Sequence, residues 1–476
     1  MRTRLLIALT LLFTTYLYGQ ERTTTLDLAQ GSITITKTGY TQNTTGTKQE
    51  TKFTGSYVIT QSNSSSSTTK NTIDVKSGKH TITLSGIYAI NNTSNACHSP
   101  ISLFEDVEVT LFLAGENKLA GNNANNAKLH VPPGATLTIK GDGKLTTNSQ
   151  KGAAIGGNSG EHCGIIIIES GTIVMNVNAS GAGIGAGACD ESSTSNTGKI
   201  IINGGYIYNE GEANSTTGAF IGGGEGCDGG KIVIKGGNIF SLSPASGAAI
   251  GGGKGGGAGD ITITGGLVKA EGGSSTIGPG AGGSGGTITI SGAVVDVYTT
   301  DDDNSAPIGG TNTTVKITNN AVVFAYNIKA GNDNNAGISG ITDESQWQGI
   351  VFKHKTGKVY GNDVTLSGSV VIPGGFTLTV ETGKKLTVAD GALVENNGTI
   401  TNNGTLVNNG IILDLSSSST TVSSDSKSPV KTLALKDIED MFIYTKEAVY
   451  TGSEIKPEVM LKGGIDNLYF YNEDVY

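Results

Sequence analysis

Two landmarks keep step along the middle of this chain. The first is an apolar pair straddling one residue: Leu137-Thr-Ile139, Ile166-Ile-Ile168, Ile200-Ile-Ile202, Ile232-Val-Ile234, Ile261-Thr-Ile263, Ile288-Thr-Ile290 and Val315-Lys-Ile317. Counted at the second residue of each pair, the steps are 29, 34, 32, 29, 27 and 27 residues. The second landmark is an isoleucine followed by glycine, at Ile155, Ile184, Ile221, Ile250, Ile277 and Ile308, trailing each pair by 14 to 19 residues. A repeat of this length is one supersecondary unit. Apolar residues two apart face one side of a strand. One such unit has nothing to pack against, so consecutive units must stack, isoleucine upon isoleucine, with each strand hydrogen-bonded to its counterparts about 4.8 Å away. Glycines fill the corners, where backbone angles or close approach exclude a Cβ. The predicted fold is an all-β parallel β-helix. A β-sandwich would not require side chains to return at a fixed step.

Composition agrees. Of 476 residues, 73 are glycine and only 9 proline, with 15% charged and 6% aromatic. Scarce proline without a Gly-X-Y period excludes collagen. Abundant Gly, Thr, Asn and Ser exclude a long helical protein, and regular apolar residues argue against disorder. A net charge of −9 argues against nucleic acid as a partner.

Around the repeats, the sequence predicts a sixfold division. Residues 1–19 read as a signal peptide, with Arg2 and Arg4 before the apolar run Leu5 to Leu17. That run is too short to span a bilayer, and no later segment is apolar enough. Residues 20–119 read as an N-terminal cap and first coils, and 120–346 as the regular repeats. In 347–415 the spacing shortens, and Asn396-Asn-Gly, Asn402-Asn-Gly and Asn408-Asn-Gly recur every six residues, predicting a narrower coil with asparagine stacked on asparagine. Residues 416–430 form a Ser/Thr-rich linker. Residues 431–476, rich in tyrosine, read as a partial small β domain.

The run GATLTIKGDGKL…GAAIGG…GTI (Gly134 to Ile173), with its successors, VEVTLFLAGENKLAG (Val107 to Gly121) and NNGTITNNGTLVNNG, resembles bacterial secreted and cell-surface right-handed β-helix proteins related to a carbohydrate-binding β-helix family. YTGSEIKPEV (Tyr450 to Val459) resembles the opening of a bacterial immunoglobulin-like surface repeat. The resemblance covers most of Ser32 to Leu415 and rests on structural glycines and core isoleucines, so it speaks to architecture more than to activity. It implies an extracellular or cell-surface location and binding to an extracellular polysaccharide or a host or cell-surface glycan. Some members of the wider β-helix class are lyases or hydrolases.

Candidate sites follow from the repeat. Glu161, Asp190, Glu191, Glu225, Asp228 and Asp260 fall between the Ile-Gly marker and the next strand, where they line one ridge. Stacked there, Asp190, Asp228 and Asp260 are candidate calcium ligands, against a plain solvated edge. No arginine follows Arg22, which excludes an arginine-dependent lyase, and the strands carry few acids. The chain therefore reads as non-catalytic, a hydrolase needing paired carboxylates. On the same ridge, Cys189 and Cys227 are the better matched disulfide pair, and Cys163–Cys189 is the competitor. A zinc site from Cys97-His98 and His162-Cys163 spans at least one intervening coil. His80, His130 and His354 read as isolated surface residues. The outward residues Tyr206, Tyr208 and Phe240, with Lys269 next, form the candidate glycan platform, since sugars stack on aromatic faces. The competing reading is that these rings lie under a loop crossing that face. Trp347 is expected to pack where the coil changes width. The glycine strings lack the Gly-Lys-Ser/Thr ending of a phosphate loop. The reading is thus a glycan-binding or adhesin-like exported surface module, with a polysaccharide-degrading enzyme and a structural spacer as alternatives.

Overall fold

The computed structural model describes residues 22–42, 50–62, 71–91, 98–121, 123–177, 179–189, 198–210, 216–242, 246–273, 275–299, 306–327, 338–416, 420, 427, 430–432, 442–445 and 459–462. The proposed signal peptide, most of the linker and most of the final β domain lie outside these residues. Of that last segment, the Phe442–Thr445 and Val459–Lys462 strands form an antiparallel pair. Contacts divide the chain into two compact units, Met1–Val364 and Thr365–Tyr476.

The chain is a parallel β-solenoid of about ten turns, with no α-helix among the described residues. Between Lys79 and Gly309 each coil contributes three faces. Using one coil as the guide, the first face is Ile165–Ile168, the second is Thr172–Asn176, and the third is the short Ile184–Gly185. The columns implied by the repeat are present. Ile139, Ile168, Ile202, Ile234, Ile263, Ile290 and Ile317 stand in register on the first face. Ile155, Ile184, Ile221, Ile250, Ile277 and Ile308 do so on the third. All are fully buried. A coil closed on three sides shields every such side chain, which no single repeat can do.

A glycine column follows the third-face isoleucines. Gly185 (φ +140°) and Gly222 (φ +134°) adopt backbone angles that disfavour L-residues. A Cβ at Gly185 would lie 1.9 Å from the Gly222 carbonyl oxygen. The coils are therefore drawn together through bare backbone at this corner.

Toward the N-terminus the third face runs through Leu129–His130, Ile101–Leu103 and Ile73–Val75 to Ile33–Thr36. There the chain turns back: Ile33–Thr36 pairs antiparallel with Gly39–Gln42, which pairs antiparallel with the exposed Thr51–Lys52. Trp347 is buried, edge-on to Tyr360 at 5.2 Å between centroids, with its indole N–H directed at the Val315 carbonyl at 3.4 Å.

The second unit corrects the asparagine stacking. Strand Val370–Ile372 pairs with Leu393–Asn396, Thr377–Val380 with Thr399–Asn402, Lys385–Val388 with Thr405–Asn408, and Leu393–Asn396 with Ile411–Asp414. Asn396, Asn402 and Asn408 consequently occupy three different strands of the unit. Each sits in register on an aliphatic residue of the preceding coil: Ile372, Val380 and Val388. A six-residue step is one strand plus its corner, so it marks a side rather than a full turn.

Candidate functional site

The outward positions of the second face hold the aromatic cluster. Period-two alternation sends Ile207, Ile239, Val268 and Val295 into the core, which turns their neighbours outward. Tyr208, Phe240, Lys269 and Asp296 are thereby aligned coil by coil. Tyr206, 42% exposed, lies 5.2 Å between centroids from Tyr208 (interplanar 62°) and 5.2 Å from Phe240 (interplanar 42°). The three rings form one contiguous patch, and Lys269 is exposed beside it. Tyr206 is exposed, and Tyr208 and Phe240 are half-buried.

Two groups flanking this patch were not apparent in the sequence. Glu271 is in register with Tyr298 and hydrogen-bonded to it. Burial raises the Glu271 carboxyl above its ordinary range, and this outweighs the Tyr298 hydrogen bond. Burial, with the charges of Glu271 and Asp296 adding, pushes the Tyr298 phenol up to about 12. The patch thus passes from aromatic to polar within two coils.

The acidic ridge comes apart. Asp190 and Glu191 lie outside the described residues. Asp260 begins a first-face strand, in register with Lys231, whose ammonium is 3.8 Å away; Lys231 in turn aligns with Lys199. Asp228 belongs to a loop and accepts the Gly257 N–H at 2.6 Å. Both acids line an open depression of about 690 Å³ shared with Lys199 and Lys231. Glu225 accepts from Thr217 Oγ1 at 2.9 Å and faces Lys254. Calcium requires six to eight oxygen ligands. Of the three candidate ligands, the described Asp228 and Asp260 share this depression with two lysines, and Asp190 lies outside the described residues.

Two histidines also differ from expectation. His80 is buried, bonded through Nε2 to the Ser77 carbonyl at 2.8 Å and edge-on to Tyr57. His130 lies on the third face, with Nε2 at 2.6 Å from Glu161 Oε2. Burial tends to raise the Glu161 carboxyl, but the His130 bond and charge and the Asn158 N–H bring it below its ordinary range. The Asn158 side-chain amide nitrogen also lies 3.1 Å from His130 Nε2, so three side chains converge on one point. The His130–Glu161 pair lines an open groove of about 540 Å³ together with Ser102, Lys76 and Phe104. Phe104 is 43% exposed and Lys76 Nζ lies 5.5 Å from its centroid. Ser102 is in register with His130 one coil earlier. Nothing in the sequence announces this groove, because its residues are neither periodic nor a spaced motif.

Cys189 and Cys227 are joined in a disulfide, with their Cα atoms 5.5 Å apart. Cys163 is free and packs into the apolar core, where burial pushes its thiol up to about 12. Cys97 lies outside the described residues. No described helix is long and apolar enough to cross a membrane. Comparison with known proteins finds no matching family model, no matching curated protein and no matching solved structure.

Proposed function

We propose that this chain is an exported cell-surface β-solenoid that binds an extracellular glycan on the second face of its coils. The observation that carries the reading is the contiguous patch of Tyr206, Tyr208 and Phe240. A pyranose ring presents an apolar face of axial C–H groups, which stacks on an aromatic ring, while its hydroxyls need polar partners alongside. Lys269 and Asp296 supply these in the next two coils of the same column. Retention at such a platform requires no bond to be broken.

Passage over immobilised pectin-like and host glycans tests the reading. Retention of the wild type is expected on at least one of them, and Tyr206→Ala and Phe240→Ala should each weaken it roughly tenfold, the equivalent of about 1.4 kcal/mol for one aromatic contact. Equal retention of wild type and both variants would refute the platform.

Cleavage of a polysaccharide is a second reading, favoured by one observation: the His130–Glu161 pair in an open groove. It predicts new chain ends released by the wild type and none by His130→Ala. A protein that neither retains nor cleaves any glycan would be a spacer.

A further inference from the structure

Three ligand-bearing side chains from three successive coils meet where the chain leaves the third-face corner. His162 follows the Ile155–Gly156 corner, Cys189 follows Ile184–Gly185, and Cys227 follows Ile221–Gly222. Their positions are set by backbone bonds between the loops: Gly187 N–H to the Glu161 carbonyl at 3.0 Å, Gly160 N–H to the Ala188 carbonyl at 2.7 Å, and Cys189 N–H to the Glu225 carbonyl at 2.8 Å. One nitrogen of His162 and the two sulfurs all lie within 4.8 Å of one another. His162 and Cys189 are half-buried and Cys227 is buried, so the cluster is reachable from one side.

We propose that Cys189, Cys227 and His162 form a redox-gated site for zinc or a similar thiolate-preferring d¹⁰ cation, closed by the disulfide and opened by its reduction. A dithiol or phosphine reductant supplies two electrons, the S–S bond breaks and each sulfur takes up one proton. A divalent cation then displaces both thiol protons and is held by two thiolates and one imidazole. Metal–sulfur and metal–nitrogen bonds of about 2.3 and 2.0 Å place tetrahedral donors roughly 3.5–4 Å apart. Once the disulfide is broken, the two sulfurs must part to that spacing while the His162 nitrogen, at most 4.8 Å from either, draws in by about 1 Å, shifts within the reach of side-chain rotation. The Cα separation of 5.5 Å suits two cysteines in either state. A solvent molecule takes the fourth position, as in three-ligand zinc sites. Cys163 does not compete, since its thiol is sealed in the core. The donors are soft sulfur and borderline nitrogen, which disfavours calcium and magnesium.

Cobalt(II) titration of the full chain, with and without prior phosphine reduction, tests the site. The reduced wild type should develop a thiolate-to-cobalt charge-transfer band saturating at one equivalent, displaced by added zinc. The oxidised protein and Cys227→Ser should develop none. His162→Gln retains both sulfurs and should bind at least tenfold more weakly. Absence of the band in reduced protein, with both thiols counted as free, would overturn the proposal. So would an equal response from the oxidised protein, an unchanged affinity in His162→Gln, or collapse of the β-sheet circular dichroism on reduction.

Discussion

Replacing Gly222 by alanine is expected to abolish stable folding of the coils around it. The added methyl would sit 2.0 Å from the Gly251 carbonyl oxygen, and the backbone there has φ +134°. Neither neighbour can give way: the Gly251 oxygen accepts the Gly223 N–H at 2.9 Å, and Gly251 is itself pressed on Gly278. The clash therefore opens the inter-coil spacing, which breaks several parallel hydrogen bonds together. The loss should be on the order of 4 kcal/mol or more, the range reserved for specific steric or packing failures. Gly282→Ala is the matched control. It too has positive φ, +77°, but nothing lies within 4 Å of the added carbon, so it should cost only about 1–2 kcal/mol. Denaturant unfolding of both variants, with limited proteolysis to locate the opened coils, checks this. Equal stability of Gly222→Ala and wild type would refute close backbone stacking at the corner.

Asp414→Ala should be the most damaging change in the second unit. The carboxylate is completely buried and is saturated by donors. Oδ1 accepts from Asn396 Nδ2 at 3.0 Å, from the Ser416 N–H at 3.1 Å and from Ser416 Oγ at 2.5 Å. Oδ2 accepts the Thr420 N–H at 3.0 Å. Truncation leaves these donors without their acceptor, at a cost of roughly 3 kcal/mol near neutral pH. Burial alone would raise this carboxyl, but the hydrogen bonds from Ser416 and Thr420 prevail and hold it below 3.8. With the folded value depressed, the unfolded chain binds more protons between the two values. The stabilisation is thus present above the unfolded value and drains away as pH falls through the folded one. Amide exchange across residues 393–414 should show wild type far better protected than Asp414→Ala at pH 7, the gap narrowing below about pH 4. A gap independent of pH would show that charge on Asp414 is not what holds these strands.

The coil was readable in the sequence because it repeats. Ile168, Ile202, Ile234 and Ile263 return at a nearly constant step, and their burial demands that they coincide. The rings of Tyr206, Tyr208 and Phe240 were readable for the same reason, as outward neighbours of core residues. The acids were not. Asp228 and Asp260 look equivalent in the string, yet one belongs to a loop and the other opens a strand beside Lys231. Loop lengths vary between coils, so position after a marker does not fix position in space. The pairing of His130 with Glu161, 31 residues apart, was hidden because a histidine's partner one coil away leaves no local pattern. In the second unit, a step of six counts one side of the coil, so Asn396, Asn402 and Asn408 do not stack on one another.

The reversal of the chain at Ile33–Gln42 bears on where a ladder of parallel rungs can be continued. Rungs that template one another through their main chains have no intrinsic stopping point, and a bare terminal rung invites another molecule to continue the ladder. On the third face, the antiparallel flap ending in the solvent-facing Thr51–Lys52 presents the wrong polarity and a positive charge to any newcomer. On that face the hairpin leaves no parallel edge for another rung to extend.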